Sequence, residues 1–363
     1  MRLLKQIVIF LCLLLLTGPG LASENFEPSY AKGKIISAKQ AEENQQDLKL
    51  MIGSGKFKGK LVEIKHMTSG MMGGDMFLKT GDKVILYVDE HPTQAESPDG
   101  SPLFNVADYE RASPLYWLAF FYALLLIVVG GIKGFRSLLA LVITIFLIFA
   151  VLFPLTLRGF NPLLVAIIVS GIVSLISFRI IGGKTIKALS AAIGTLVGVA
   201  FAGGIALLVG KMIHLTGLSS EEAKILLYSM ELKINYQGLL FGSILIGALG
   251  AVMDIGMSIA SSIDEVSKIH PETTFTNLYK AGMNVGKDVM GTMSNTLILA
   301  YTGSSLPLLL LMAANNVSFA KIINLEMIAG EVVRALAGSI GLVLCIPITA
   351  AIAALLHHKK GGK

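Results

Sequence analysis

Leu115-Tyr116-Trp117-Leu118-Ala119-Phe120-Phe121-Tyr122-Ala123-Leu124-Leu125-Leu126-Ile127-Val128-Val129-Gly130-Gly131-Ile132 is a run of eighteen residues without a charge or a proline. Eighteen or more apolar residues match the thickness of a bilayer's hydrocarbon, whereas a buried soluble helix needs far fewer. Tyr116 and Trp117 stand at its start, where aromatic rings suit the headgroup layer. Six more apolar runs follow, near 138–156, 162–181, 186–210, 238–260, 292–313 and 335–356. The fourth of the seven is the longest, and tilting accommodates the excess. The expected fold is therefore an α-helical polytopic membrane bundle of about seven spans over residues 115–363.

The N-terminal third reads differently. Arg2 and Lys5 precede an apolar run from Ile7 to Leu16, with small residues up to Ala22. This is the pattern of a signal peptide; an uncleaved N-terminal anchor is the alternative for residues 1–22. Either one sends residues 23–114 across the membrane. Within that stretch Ala31–Ala38, Lys58–Met67 and Lys83–Asp89 are rich in Ile, Val and Leu. The turn signals Gly53-Ser54-Gly55, Gly73-Gly74 and Gly81-Asp82 separate them. A small exported β-domain of about five strands, or a barrel, is expected.

Composition agrees: 54% of the 363 residues are hydrophobic and 15% charged, against about 25% charged in a soluble domain. Mean hydropathy is +0.72. The net charge of +6 does not mark a nucleic-acid binder, because the basic residues lie in short loops between apolar runs. There they report topology. With the β-domain outside, the inner segments hold Arg2, Lys5, Lys133, Arg136, Arg179, Lys184, Lys187, Lys268, Lys280, Lys287, Lys359, Lys360 and Lys363. The outer loops hold only Arg158, Lys211, Lys224, Lys233, Lys321 and Arg334. The asymmetry places the C-terminus in the cytoplasm. Thr274 to Lys287, after the break at His270-Pro271-Glu272, is expected as an amphipathic helix at the inner interface.

Polar groups inside apolar runs are costly in lipid and mark a pathway or a pair. Steps of three and four residues place Gly247, Ala251, Asp254, Ser258, Ser261 and Glu265 on one face of the fifth span. The sixth span carries Asp288, Thr292 and Asn295 on a similar face. The expectation is a polar site between spans five and six, about 10 Å deep from the inner interface. Interhelical hydrogen bonding is the alternative for Thr292 and Asn295. Glu331 and Arg334, one turn apart, are placed for an ion pair at the outer end of the last span. Cys12 and Cys345 both fall in apolar segments and give no disulfide framework. His66 and the methionines from Met67 to Met76 match no fixed ligand spacing. No nucleotide-binding loop, zinc-protease helix or serine-nucleophile turn is present, so neither an enzyme, a metal centre nor a cofactor is expected.

The run Gly282-Met283-Asn284-Val285-Gly286-Lys287-Asp288-Val289-Met290-Gly291-Thr292-Met293-Ser294-Asn295-Thr296-Leu297-Ile298-Leu299-Ala300-Tyr301 resembles the signature segment of the YibE/F-like bacterial membrane proteins, and so does Gly250–Ile259. Lys287 stands where such proteins often carry Arg, which keeps the charge. The resemblance implies a multi-pass protein of the bacterial cytoplasmic membrane and supplies no mechanism. From the architecture, the expected function is a permease-like secondary transporter of a small solute or ion. The alternative is a scaffold or envelope-assembly factor whose exported β-domain binds a protein partner. The bilayer is the expected partner in both cases.

Overall fold

A computed structural model describes residues 29–42, 44–67, 76–90, 92 and 101–361. The leader and most of the methionine-rich loop lie outside the described residues. The chain divides into two compact units, meeting in sequence between Leu125 and Leu126.

The first unit is built on five strands: β1 (Ser29–Glu42), β2 (Gln45–Ile52), β3 (Leu61–Met67), β4 (Lys83–Asp89) and β5 (Leu103–Tyr109). All neighbours are antiparallel, in the order β3-β2-β1-β4-β5. The sheet curls far enough for β3 to approach β5, giving the strand order of a partly open OB-type barrel. Strict alternation drives this. In β2, Leu48, Leu50 and Ile52 point inward while Asp47, Lys49 and Met51 point out. The inward set meets Ala31, Ile35, Leu78, Val84, Leu86, Val88 and Phe104 in one core. Gly33 is buried in β1 because a side chain there would press on Leu86, 3.0 Å away.

Among the described residues two polar side chains are buried in this unit, Gln46 with both amide atoms bonded and Glu110 with one carboxylate oxygen, Oε1, bonded. Gln46 accepts from Leu78 N (3.0 Å) and donates to Leu78 O (3.2 Å), pinning the irregular segment before β4. Glu110, at the end of β5, pairs with Lys32 at 2.9 Å and accepts from the backbone and hydroxyl of Ser113. It thereby caps the first turn of helix α1 (Ala112–Leu147).

In the second unit, α1 continues through a π-helical turn (Ile148–Leu152) into α2 (Phe153–Leu157). Then follow α3 (Pro162–Gly182), α4 (Ile186–Met212), the short α5 (Glu221–Tyr228) and α6 (Tyr236–Ile269). Last come α7 (Phe275–Ser304), α8 (Leu306–Ala314), α9 (Phe319–Ile323) and α10 (Glu326–Gly361). Helix starts follow from side-chain caps: Asn161, Thr185, Ser220, Asn235 and Thr274 each accept a hydrogen bond from the backbone of the first turn.

Among the described residues, five helical runs are long and apolar enough to cross a membrane, or six when α7 and α8, bent by 58° at Ser305, are taken as one span. The chain is a membrane protein. The first two expected spans form one helical run, Ala112–Leu157, so the expected count of seven is not reached by length and composition. That run is interrupted at Gly131, whose φ of 56° and ψ of −134° are not helical. Gly134 lies directly against the Leu126 carbonyl, leaving no room for a Cβ. In a straight helix these residues would be about 12 Å apart, so the run bends sharply there. A second difference concerns residues 274–287. They form no separate interfacial helix but the first half of α7, held by Leu278, Gly282 and Gly286 against α6 and α10.

Glycine sets the packing of the bundle. A Cβ on Gly198 of α4 would stand 2.8 Å from the Gly341 carbonyl of α10, and one on Gly341 would stand 2.6 Å from the Gly198 carbonyl. The two backbones are thus in reciprocal contact. Thr195, Cys345 and Thr349 lie buried beside them, and Cys345 Sγ is 3.3 Å from Thr349 Oγ1.

The Glu110 contacts make the β-domain sensitive to acid. Its hydrogen bond from Lys32 holds the carboxyl below its usual range. A carboxyl depressed in the folded state stabilises above its unfolded pKa and loses that contribution as pH falls through its folded value. Amide exchange in β1 and β5 of the full-length protein should accelerate as pH is lowered through the carboxylate range, after correction for intrinsic rates. Glu110→Gln should be less protected at pH 7 and nearly insensitive to the same change. An unchanged acid response in Glu110→Gln would contradict this role.

Candidate functional site

Helix α6 has two distinct faces. Ala248, Val252, Ile255, Gly256, Ile259 and Ile263 are buried against α4, α7 and α10. Gly247, Gly250, Asp254, Ser258 and Glu265 recur on the opposite face and are exposed. Asp254 stands within two residues of the midpoint of α6, about 3 Å of helix rise. Neighbouring Val252 offers its carbonyl to Thr195 and Cys345, in the middle parts of α4 and α10. Asp254 is therefore central in the bundle rather than near one end.

The Asp254 carboxylate opens on a groove of about 320 Å³ between α1, α3 and α6. Its polar lining is Ser137 and Thr144 from α1, Ser177 from α3 and Asp254 itself; Leu141, Val173 and Met253 are among the apolar members. Thr144 returns its hydroxyl to the Ala140 carbonyl at 2.9 Å, and Ser258 does the same to the Asp254 carbonyl at 2.8 Å. These hydroxyls are satisfied within their own helices and keep their acceptor lone pairs. The Asp254 carboxylate has no hydrogen-bond or ion-pair partner among the described residues. The helix carrying two of these hydroxyls is little buried, with Gly134, Ala140 and Leu147 its buried residues.

The residues expected across from Asp254 sit elsewhere. In α7 the contact face is Leu278, Gly282, Gly286, Met293 and Leu297. Gly282 meets Ile263 and Ala350, Gly286 meets Ile259 and Ile346, and Ala248 and Leu297 share a level at Gly338. This antiparallel register sets Gly291 level with Asp254. Asp288, Thr292 and Asn295 lie on the other face of α7, all exposed. Thr292 donates to the Val289 carbonyl at 2.8 Å. Among the described residues, no hydrogen bond or ion pair joins Asp254 or Ser258 to Asp288, Thr292 or Asn295. The register sets Lys287 and Asp288 near the level of Ile259, at the end of the apolar run 238–260 of α6.

Glu331 and Arg334 do face each other, with Arg334 Nε 3.5 Å from Glu331 Oε2. The guanidinium also lies over the ring of Tyr301 at 5.9 Å from its centroid. Tyr301 in turn fills the space beside Gly247, where a Cβ would be 2.7 Å from the phenol oxygen. The pair thus ties α10 to α7, and α7 to α6.

Sequence reasoning passed over Ser137, Thr144 and Ser177. The available signal was a hydroxyl within each of two apolar runs, weak because Ser and Thr are common there. It also passed over Asp264, buried at the C-terminal end of α6, which lies 2.8 Å from Lys268 and 3.6 Å from His357 of α10. No cluster of three His, Cys, Asp or Glu side chains suited to a metal occurs among the described residues.

Comparison with protein families decides the relationship. The YibE/F-like protein family matches residues 118–359, and the YibE/F family N-terminal domain matches residues 31–98. The chain belongs to the YibE/F-like family. Neither a curated protein nor a solved structure matches it. In this YibE/F-like chain the N-terminal match falls on the curled sheet, and the longer match carries both Asp254 and the polar face of α7.

Proposed function

We propose that this YibE/F-like protein is a permease-like secondary transporter of the bacterial cytoplasmic membrane, with Asp254 as its proton- or cation-coupling group. The observation that carries this reading is the unpartnered carboxylate near the middle of α6, facing a groove with three hydroxyl side chains. A charged aspartate at the centre of a membrane helix costs about 2.5–3.5 kcal/mol on insertion scales. A group retained at that cost needs water, a proton or a cation. Ser137, Thr144 and Ser177 would line the path, and the loosely packed first span would move relative to α3 and α6 to open it.

A second reading has its own support. The centre of the bundle is closely packed through glycine, and β2 and β3 expose Met51 beside its cross-strand partner Leu61. In that reading the bundle anchors an exported barrel that binds a protein partner.

Counting the bend at Gly131 as a boundary gives seven spans, with the β-domain outside and the C-terminus in the cytoplasm. A C-terminal alkaline phosphatase fusion should then be inactive and a fluorescent-protein fusion bright. Six spans would give the reverse.

The transport reading is tested in proteoliposomes with an imposed pH gradient and a panel of monovalent and divalent cations and small metabolites. Wild type should show gradient-dependent flux of at least one of them. Asp254→Asn should lower that flux by at least tenfold, equivalent to about 1.4 kcal/mol of barrier, and remove its pH dependence. Equal, pH-independent fluxes in both proteins would favour the scaffold reading.

A further inference from the structure

The outward face of α7 is not a lipid-facing surface in its chemistry. Asn284, Lys287, Asp288, Gly291, Thr292, Asn295 and Thr302 are all exposed there. The contacts of Gly286 with Ile259 and Ile346 put this face at the depth of buried apolar residues in α6 and α10. Lys287 and Asp288 form no ion pair with any described residue. Exposing a lysine, an aspartate and two asparagines to hydrocarbon is unfavourable. In the isolated chain nothing described covers them.

We propose that this face is the interface of a two-fold dimer, with a second copy of the chain as its occupant. Both copies share one orientation in the membrane, so the symmetry axis lies along the membrane normal. Each residue then meets its own counterpart at the same height. The face is complementary to itself under that operation. Lys287 of one copy meets Asp288 of the partner subunit, and the exchange occurs twice, so four charges neutralise in two pairs. Asn295, with both donors and acceptors, pairs with its counterpart. Gly291, between the two levels, carries no side chain to hold the helices apart. An oppositely charged foreign helix would satisfy Asp288 or Lys287 but would have to reproduce this alternation; the second copy has it by construction. The inference does not rest on transport, and loss of the Asp254 role would leave it standing.

The test uses single cysteines in the full-length protein with Cys12 and Cys345 replaced by alanine, expressed in native membranes. Gly291→Cys and Asn295→Cys should form dimers with a short bis-maleimide, while Phe201→Cys, on the exposed apolar face of α4, should not. Adding Lys287→Asp to Asn295→Cys should abolish most cross-linking, and the double reversal Lys287→Asp with Asp288→Lys should restore it. Immunoblotting checks that each variant accumulates. Subunit counting on unsubstituted protein in bilayers should give two copies per particle. Single copies, equal cross-linking at Phe201→Cys, or rapid labelling of Asn295→Cys by a membrane-impermeant maleimide would overturn the proposal. The last result would mean a face wetted by water.

Discussion

The reciprocal backbone contact between Gly198 and Gly341 is the constraint on which the bundle depends. Lipid offers apolar side chains no less favourable a surroundings than another helix does, so association must come from close packing and polar contacts. With no Cβ at either position, α4 and α10 approach until each carbonyl touches the other backbone. Gly194 against Thr349 and Gly256 against Thr195 extend the same contact along α4. Helices α6 and α7 are then laid on this pair through Gly256, Gly282 and Gly286. Once those faces are committed to packing, helix periodicity leaves the polar residues of α6 and α7 nowhere to go but outward.

That consequence gives the molecule its functional character. Asp254 is directed into a groove whose other wall is the little-buried α1, and the polar face of α7 is directed away from the bundle. A closely packed core and two polar outer faces are compatible in lipid only if water, ions or protein meet those faces. The proposed coupling role and the proposed dimer answer this requirement at different places. The curled β-sheet obeys a simpler rule, with alternating residues closing on one core and Gln46 and Glu110 tying the segment before β4 and the end of β5.

Much of the architecture was legible in the sequence. The length and apolarity of the runs gave the membrane helices. Period-two alternation and glycine turns gave a β-domain of about five strands. The segments at β1, β3 and β4 were recognised, while Gln45–Ile52 and Leu103–Tyr109 were not, since each holds a single β-branched residue, Ile52 and Val106. The polar faces of α6 and α7 were also visible as spacings of three and four. What lies opposite each face was not, because periodicity assigns residues to one side of a helix and says nothing about the neighbour there. Hence Asp254 was matched with Asn295 rather than with Ser137, Thr144 and Ser177. Thr274–Lys287 reads as interfacial because its polar residues look like a solvated face; Gly282 and Gly286, which hold it in the bundle, carry no hydrophobic signal.

The central claim is that Asp254 faces a water-accessible groove within the membrane. The most direct measurement is the reactivity of cysteines placed at Ser137, Thr144 and Ser177 toward a membrane-impermeant maleimide in intact membranes, compared with Phe201→Cys on an apolar outer surface. The account predicts labelling at all three groove positions, slowed when Asp254 is neutralised, and none at Phe201→Cys. Labelling of the groove cysteines only by lipid-soluble reagents, unaffected by Asp254→Asn, would contradict it.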